Sequence, residues 1–122
     1  MRRKSLAAVV AEKPFEDFAD WWPLGSTFID LMAENENIWT KVSCPERLTA
    51  IGPDYGDVVP FARTLVDAFN DRVLWGTDWP HPNMKSHMPD DGMLVDVIPR
   101  IATDAARQQA LLVGNPRRLY WG

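Results

Sequence analysis

The fold of this chain is decided by residues 72–83, which read Arg-Val-Leu-Trp-Gly-Thr-Asp-Trp-Pro-His-Pro-Asn. The apolar run over residues 73–75 is short and lies between turn-forming residues, a pattern typical of a strand buried on both faces. Buried parallel strands carry their chemistry at their carboxyl ends, so Asp78 is predicted to stand on the rim of a sheet or barrel, three residues before His81. Spacing alone leaves a second interpretation open, in which Asp78 caps a turn and His81 lies on the surface.

A strand, a loop and a helix precede this stretch. Residues 38–43 have the side-chain alternation of a strand, and residues 44–56 form a loop rich in turn formers. Asp57 is expected to cap a helix whose apolar stripe runs to Phe69. This strand–helix–strand unit predicts two parallel strands joined by a right-handed crossover.

Arg47 lies in the loop that follows the first of these strands. Loops at the carboxyl ends of parallel strands share one rim, so Arg47 and Asp78 are expected on the same side of the sheet. A guanidinium suits the binding of a carboxylate, because its fork of N–H groups can grip both oxygens. The alternative is a surface arginine paired with Glu46 or Asp54. Cys44 is predicted to be a small buried residue and not a nucleophile, because no neighbour would lower its pKa.

The remaining segments are predicted from apolar periodicity and from capping residues. In the first half of the chain they are a short strand over residues 6–10, a helix over 15–22 ended by Pro23 and Gly25, and a helix from Ser26 or Thr27 to Ala33. In the second half, a helix over 92–98 is capped by Asp91 and ended by Pro99, and a helix over 104–113 is capped by Thr103 and ended by Gly114. A last turn is capped by Asn115. The loop over residues 79–90 is long enough to be functional, although His87 within it is expected on the surface.

Length and composition limit the classes of protein to consider. The chain has 122 residues, enough for one domain and fewer than the roughly 250 residues of a complete eight-stranded α/β barrel. Its net charge of -4 offers no basic surface for nucleic acid, and no apolar run reaches the length of a membrane span. The single cysteine excludes an intrachain disulfide and fits a cytoplasmic location.

Four motifs carry a resemblance to a known family. They are Trp-Thr-Lys-Val-Ser at residues 39–43, Pro-Glu-Arg-Leu at 45–48, Gly-Thr-Asp-Trp-Pro-His-Pro at 76–82 and Asn-Pro-Arg-Arg-Leu-Tyr at 115–120. From residue 28 onward the chain resembles the amidohydrolase-related family of the metal-dependent hydrolase superfamily. Within that family it is similar to the lactonases that act on 2-pyrone-4,6-dicarboxylate and sulfomuconolactone. Residues 1–25 match weakly, and residues 1–122 are expected to belong to a single domain.

The resemblance implies a fold, a reaction and a set of site residues. The fold would be α/β, the C-terminal part of a (β/α)8 barrel that is incomplete in this chain. The reaction would be hydrolysis of a lactone ring in a small carboxylated compound. Asp78 would be the general base, and a metal ligand in metal-dependent members. Arg47 would bind the substrate's carboxylate, and Ser43, His81 and Asn83 would contribute hydrogen bonds to the substrate.

The chain departs from the family at two groups of histidines. Relatives have a histidine after a strand near residues 9–13, and metal-dependent members carry a His-x-His pair on the first strand, whereas this sequence has neither. We therefore expect no metal cofactor and only weak binding of zinc or manganese. A divalent zinc or manganese ion in a complete barrel is the alternative. Two other functions stay open: a metal-dependent decarboxylase, and a non-catalytic fragment that completes a barrel with a partner chain or by self-association.

Overall fold

The computed structural model describes residues 22–47, 49, 55–82, 84 and 88–122 of the chain. The predicted strand over residues 6–10, the predicted helix over residues 15–22 apart from its last residue, and the candidate side chains Asn83 and His87 lie outside these residues. The described part combines helices with a pair of strands, which is the predicted α/β class. None of the helices in these ranges has the length and apolar character needed to cross a membrane.

Two short parallel strands stand at the centre of the described structure. β1, Thr40–Lys41, pairs with β2, Val73–Leu74, so that the first residues of the two strands lie opposite each other. The pairing continues past the strand ends, because the Val42 N–H donates to the Leu74 carbonyl at 2.9 Å. The predicted parallel pairing is confirmed, although the regular part of β1 is shorter than residues 38–43.

The helix between the strands, α2, spans Val59–Ala68 and buries its predicted apolar stripe. A helix with apolar residues at the spacing of one face directs that face into the core, where burial of each large side chain stabilises the fold by roughly 1.5–3 kcal/mol. The buried residues of this stripe are Val58, Val59, Phe61, Ala62, Leu65, Val66 and Phe69.

The predicted cap of α2, Asp57, is wrong. The capping position is Val58, and no side chain accepts a hydrogen bond there. Instead the Tyr55 carbonyl accepts the N–H groups of Val58 and Val59, at 3.0 and 3.2 Å. Pro60 has no N–H at all, so the first turn has few donors left for a carboxylate to satisfy.

The helix α1 spans Trp22–Glu34 and begins earlier than predicted. Pro23 and Gly25 are predicted to separate two helices, yet both fall in the first turn of this one. A proline is tolerated there because its missing N–H would have no partner within the helix. Pro23 and Gly25 therefore lie within α1 and do not mark the boundary at which it is predicted to begin.

Arg72, which immediately precedes β2, holds the C-terminal end of α1. Its Nη1 donates to the backbone carbonyls of Met32, Asn35 and Ile38, at 3.1, 2.7 and 3.3 Å. The last carbonyls of a helix have no partner within the helix, and a cation suits the negative end of the helix dipole. The segment between α1 and β1 is thereby fixed to the beginning of β2.

Two N-terminal caps in the second half of the chain lie one residue away from their predicted positions. The observed caps are Asp90 for α3, Asp91–Asp96, in place of Asp91, and Asp104 for α5, Ala105–Gln109, in place of Thr103. In each case the carboxylate accepts the N–H three residues further on, at 3.1 Å in α3 and 2.8 Å in α5. Neighbouring polar residues have similar capping preferences, and only the backbone angles decide between them.

Pro99 is predicted to end a helix over residues 92–98, and this prediction is wrong. The proline lies in the first turn of a separate short helix, α4, Ile98–Ile101. The break between α3 and α4 falls at Val97, where the capping residue of one helix begins the next. Pro99 is tolerated in that turn for the same reason as any proline at a helix start.

Gly114 does not end the last helical segment. It keeps right-handed helical angles, φ -61° and ψ -50°, at the end of a wide π turn, Ala110–Gly114, that leads directly into α6, Asn115–Trp121. The Asn115 N–H reaches the carbonyl of the first residue of this turn, five positions back. A wider turn at this point accommodates Pro116, which cannot donate to the preceding turn.

Asn115 is buried and joins α6 to β2. It does not cap the last turn as predicted; its Nδ2 donates to the carbonyls of Asn70 and Val73, at 2.7 and 2.8 Å. Further along α6, the Arg118 guanidinium lies 5.2 Å from the centre of the Trp39 ring, just before β1. The Asn-Pro-Arg-Arg motif therefore contacts the entry to both strands.

One apolar core connects these elements. It takes at least one wholly buried side chain from α1, α2, β2, α3, α4 and the π turn. Those side chains are Met32, Leu65, Val73, Leu94, Ile101 and Leu111.

Replacing Asn115 by alanine is expected to lower the free energy of unfolding by roughly 1–3 kcal/mol, because two carbonyls lose their donor. The measurement is urea denaturation followed by far-UV circular dichroism. Asn37→Ala, at an exposed turn position, is the matched control and should change the unfolding free energy by less than about 0.5 kcal/mol. Equal stability of the two variants would show that Asn115 does not anchor β2.

Candidate active site

The loops that follow β1 and β2 meet at the carboxyl ends of the two strands. Ser43, in the loop after β1, accepts a hydrogen bond from the Gly76 N–H at 2.9 Å. This bond continues the strand pairing beyond its last backbone contact and brings residues 43–47 and 76–81 to one rim. The Ser43 oxygen is engaged as an acceptor, while its hydroxyl can still donate in the way predicted for a substrate contact.

Arg47 and Asp78 face each other across this rim. Nη1 of Arg47 lies 3.9 Å from Oδ2 of Asp78, and the two side chains keep 31% and 34% of their surface exposed. An ion pair this exposed adds little to stability, but both groups remain within reach of a small molecule. Among the ion pairs of the described residues, none joins Arg47 to Glu46, and Asp54 lies outside them. The structure places the predicted base beside the predicted anion-binding group.

Three residues of the rim have left-handed backbone angles, which are uncommon for residues other than glycine. Cys44, Asp78 and His81 have φ values of 60°, 64° and 59°. The His81 N–H donates to the Asp78 carbonyl at 2.7 Å and closes the tight turn between them. Backbone strain of this kind costs on the order of 1–3 kcal/mol per residue and clusters at functional sites. The strain is an independent reason to regard the rim as a site.

His81 is buried beneath the rim, with 3% of its surface exposed. Its Nε2 lies 2.9 Å from Oδ1 of Asp91, and its Nδ1 lies 3.6 Å from Oε1 of Glu46. An ionised carboxylate only accepts hydrogen bonds, so Nε2 is the nitrogen that donates to Asp91. The interpretation of His81 as a surface residue is wrong. A hydrogen bond from His81 to the substrate would require the ring to leave its carboxylate neighbours.

Glu46 stands out in the sequence only as an alternative partner for Arg47, yet the structure buries it beside the site. Its side chain is 2% exposed, and neither carboxylate oxygen has a hydrogen-bond partner. Burial raises the pKa of Glu46 above its ordinary value and the Asp78 carboxylate adds to this, while the nearby backbone N–H of Glu46 itself, His81 and Arg47 oppose it. No local pattern marks such a glutamate, because its burial depends on a loop that lies far away in the sequence.

Cys44 is half-buried next to these charged groups. Burial is the main reason that the pKa of its thiol rises to about 11; the carboxylates of Glu46 and Asp78 raise it further, and Arg47 opposes them. The thiol is therefore protonated at neutral pH. This agrees with the prediction that Cys44 is not a nucleophile.

Three atoms that could bind a metal converge at the rim. Sγ of Cys44 and one carboxylate oxygen from each of Glu46 and Asp78 lie within 4.8 Å of one another. Sulfur and carboxylate donors suit zinc and similar ions. The predicted absence of a metal cofactor stays a prediction, and so does the substrate contact of Asn83, which lies outside the described residues.

Comparison with known proteins supports the resemblance inferred from the four motifs. A family model described as amidohydrolase matches residues 15–121 of the chain. A 2-pyrone-4,6-dicarboxylate hydrolase of Comamonas testosteroni is 63% identical over 102 residues, which cover 77% of this chain and 33% of that protein. A 4-sulfomuconolactone hydrolase of Rhizobium radiobacter is 38% identical over 120 residues, which cover 97% of this chain and 36% of that protein.

A relative with a different named activity is more distant. D-galactarolactone isomerase of Agrobacterium fabrum is 29% identical over 91 residues, which cover 73% of this chain and 31% of that protein. The chain spans about a third of the length of the curated relatives it matches.

In the metal-free protein, kept so by a chelator, Cys44 should react slowly with iodoacetamide at neutral pH, and the rate should rise until about pH 11. Only the thiolate attacks, and burial keeps the thiol protonated. The urea-unfolded chain is the control, with its plateau near the ordinary pKa of 9.0. Because the folded-state pKa is raised, the thiol's contribution to stability is present below pH 9.0 and is lost as the pH rises to about 11. A plateau near pH 9.0 in the folded protein would contradict the described environment of Cys44.

Proposed function

Because the chain belongs to the amidohydrolase family, we propose that it supplies part of the active site of a hydrolase that opens the lactone ring of a small carboxylated compound. The observation that carries the proposal is the pairing of Asp78 with Arg47 on an accessible rim, 3.9 Å apart. One group can accept a proton and the other can bind an anion. Both tasks are needed when water attacks the ring ester of a negatively charged substrate.

The names of the relatives support this class of substrate. 2-Pyrone-4,6-dicarboxylate and 4-sulfomuconolactone are both ring lactones that carry anionic groups. A guanidinium binds such groups through paired hydrogen bonds, so Arg47 is assigned to the substrate anion. Asp78 takes a proton from the attacking water and returns it to the ring oxygen as the carbon–oxygen bond breaks.

Binding of the anion and activation of the base are coupled in this arrangement. In the free site, Arg47 is the positively charged neighbour of Asp78. A substrate carboxylate that engages Arg47 competes with Asp78 for the guanidinium. The Asp78 carboxylate is then released from the guanidinium and is available to the attacking water while the substrate is present. The exposure of both side chains gives the substrate access to this exchange.

The other candidate residues take supporting roles in the proposal. The Ser43 hydroxyl donates a hydrogen bond to the substrate while its oxygen keeps the Gly76 N–H. Asn83 contributes a further hydrogen bond from the loop that follows. The family resemblance implies a hydrogen bond from His81 to the substrate. The burial of His81 between Asp91 and Glu46 instead favours a role in holding the turn that carries Asp78.

We further propose that residues 1–122 belong to a single domain and that the described strands are part of a (β/α)8 barrel. This chain supplies one portion of that barrel, which the longer relatives complete. A partner chain or self-association is the alternative way to close the site. The lactonase proposal uses no metal; a decarboxylase that depends on zinc or manganese is the alternative within the superfamily. The single cysteine suits a cytoplasmic enzyme.

Asp78→Asn should lower kcat by roughly a hundredfold or more, because general-base catalysis contributes about 10²–10⁴. The test uses a chimera in which this chain replaces the matching third of the Comamonas testosteroni relative, assayed for hydrolysis of 2-pyrone-4,6-dicarboxylate. Arg47→Gln should mainly raise KM, since it removes an anion contact. Asp96→Asn, at an exposed carboxylate on α3, is the control and should leave both constants unchanged. Full activity of the Asp78→Asn chimera would reject the assignment of the base.

The 122-residue chain by itself should hydrolyse the same lactone at a negligible rate. Catalysis needs the base, the anion clamp and the groups that polarise the carbonyl held within about half an ångström of their working geometry. Electrostatic stabilisation is far weaker in an open, wet site than in a closed pocket. Turnover by the purified chain that disappears with Asp78→Asn would show that the chain needs no complement. Turnover that appears only after mixing with the remaining part of a barrel would support a two-chain enzyme.

A further inference from the structure

We propose that Cys44, Glu46 and Asp78 form a binding site for one borderline-soft divalent cation such as zinc or cadmium. The three ligand atoms lie within 4.8 Å of one another. A single ion can bridge atoms at this spacing with small side-chain adjustments, because zinc–sulfur and zinc–oxygen bonds are about 2.3 and 2.0–2.2 Å long. The site goes beyond the proposed lactonase reaction, which uses no metal. It uses donors other than the His-x-His pair, whose absence from the sequence is the reason for expecting only weak binding of zinc.

The independent observation that points to a cation is the state of Glu46. Its side chain is 98% buried, since 2% is exposed, and both carboxylate oxygens lack a hydrogen-bond partner. The Nδ1 atom of His81 lies 3.6 Å from Oε1, which is beyond hydrogen-bond distance. Buried polar groups in proteins are almost always satisfied, and an exception calls for an ion or a water that fills the gap.

The kind of cation follows from the donor atoms. Magnesium and calcium prefer sites made only of oxygen, whereas a thiolate selects zinc and related metals. Three protein ligands also leave one tetrahedral position for water or a small ligand, the arrangement of open zinc sites.

Binding exchanges a proton for the metal. In the metal-free protein the pKa of the Cys44 thiol is about 11, so its sulfur carries a proton at neutral pH. The S–H bond breaks as the sulfur–metal bond forms, and the proton passes to the buffer. No oxidation state changes, and no other reactant is required.

Arg47 is the built-in competitor of this site. Its Nη1 lies 3.9 Å from Oδ2 of Asp78, so a metal at Asp78 meets an adjacent positive charge. The Arg47 side chain is partly exposed and can turn toward solvent when an ion binds. One consequence follows: removal of the guanidinium favours the metal.

The experiment is a titration of the purified, chelator-treated protein with cadmium, followed by the ultraviolet thiolate-to-cadmium charge-transfer band. The chain has one cysteine, so any such band reports Cys44. We expect the band to saturate at one equivalent and to be reversed by zinc. Glu46→Gln and Asp78→Asn should each weaken binding by at least about tenfold, the loss that even an outer-sphere substitution causes. Arg47→Gln should tighten it, and Asp96→Asn should leave it unchanged.

Two results would overturn the proposal. One is the absence of a saturable band in the unaltered protein. The other is unchanged cadmium affinity in Glu46→Gln and Asp78→Asn, which would mean that the thiol binds the metal without the carboxylates. Circular dichroism melts show whether each variant folds. If Glu46→Gln is unfolded, the cadmium affinity of Asp78→Asn, which alters a partly exposed side chain, decides whether the carboxylates bind the metal. Failure here leaves the lactonase proposal standing, because that proposal is tested by the activity of the chimera.

Discussion

The parallel pairing of β1 and β2 is the interaction on which the candidate site depends. Two short strands are a weak association by themselves, and long-range side-chain contacts support them here. Arg72 fixes the end of α1 at the entry to β2. Asn115 donates to the carbonyl of Asn70 before that strand and to the carbonyl of Val73 within it. Since parallel strands run in the same direction, the loops that follow them emerge on one side. Arg47 and Asp78 meet there as a direct result of the pairing.

The parts of the fold that could be predicted are those decided by local periodicity. The apolar stripe of α2 repeats at helical spacing, and the run over residues 73–75 is short, apolar and bounded by turns. Together they predict a crossover between two parallel strands. The geometry of such a βαβ unit then places Arg47 and Asp78 on the same rim of the sheet. The nearness of the two side chains is thus a consequence of topology, for which the sequence is sufficient.

The parts that could not be predicted depend on competition or on distance. Asp90 and Asp91 are adjacent residues with the same capping chemistry, and only the backbone angles of the folded chain select the first. Glycine ends many helices, but here Gly114 lies in the wide turn before Pro116, which continues into α6. The burial of Glu46 against His81 joins two loops that are far apart in sequence. No spacing rule connects them.

Asn115 contacts residues that precede it by 45 and 42 positions. A ribosome releases a chain from its N-terminal end, so β1 and β2 become available for pairing before Asn115 has been added. During that interval the carbonyls of Asn70 and Val73 must find other donors, and water is the nearest source. A nascent chain stalled before residue 115 would carry every motif residue of the rim without the amide that fixes the strand behind them. The geometry of the candidate site is therefore among the last features of this part of the protein to be completed during synthesis.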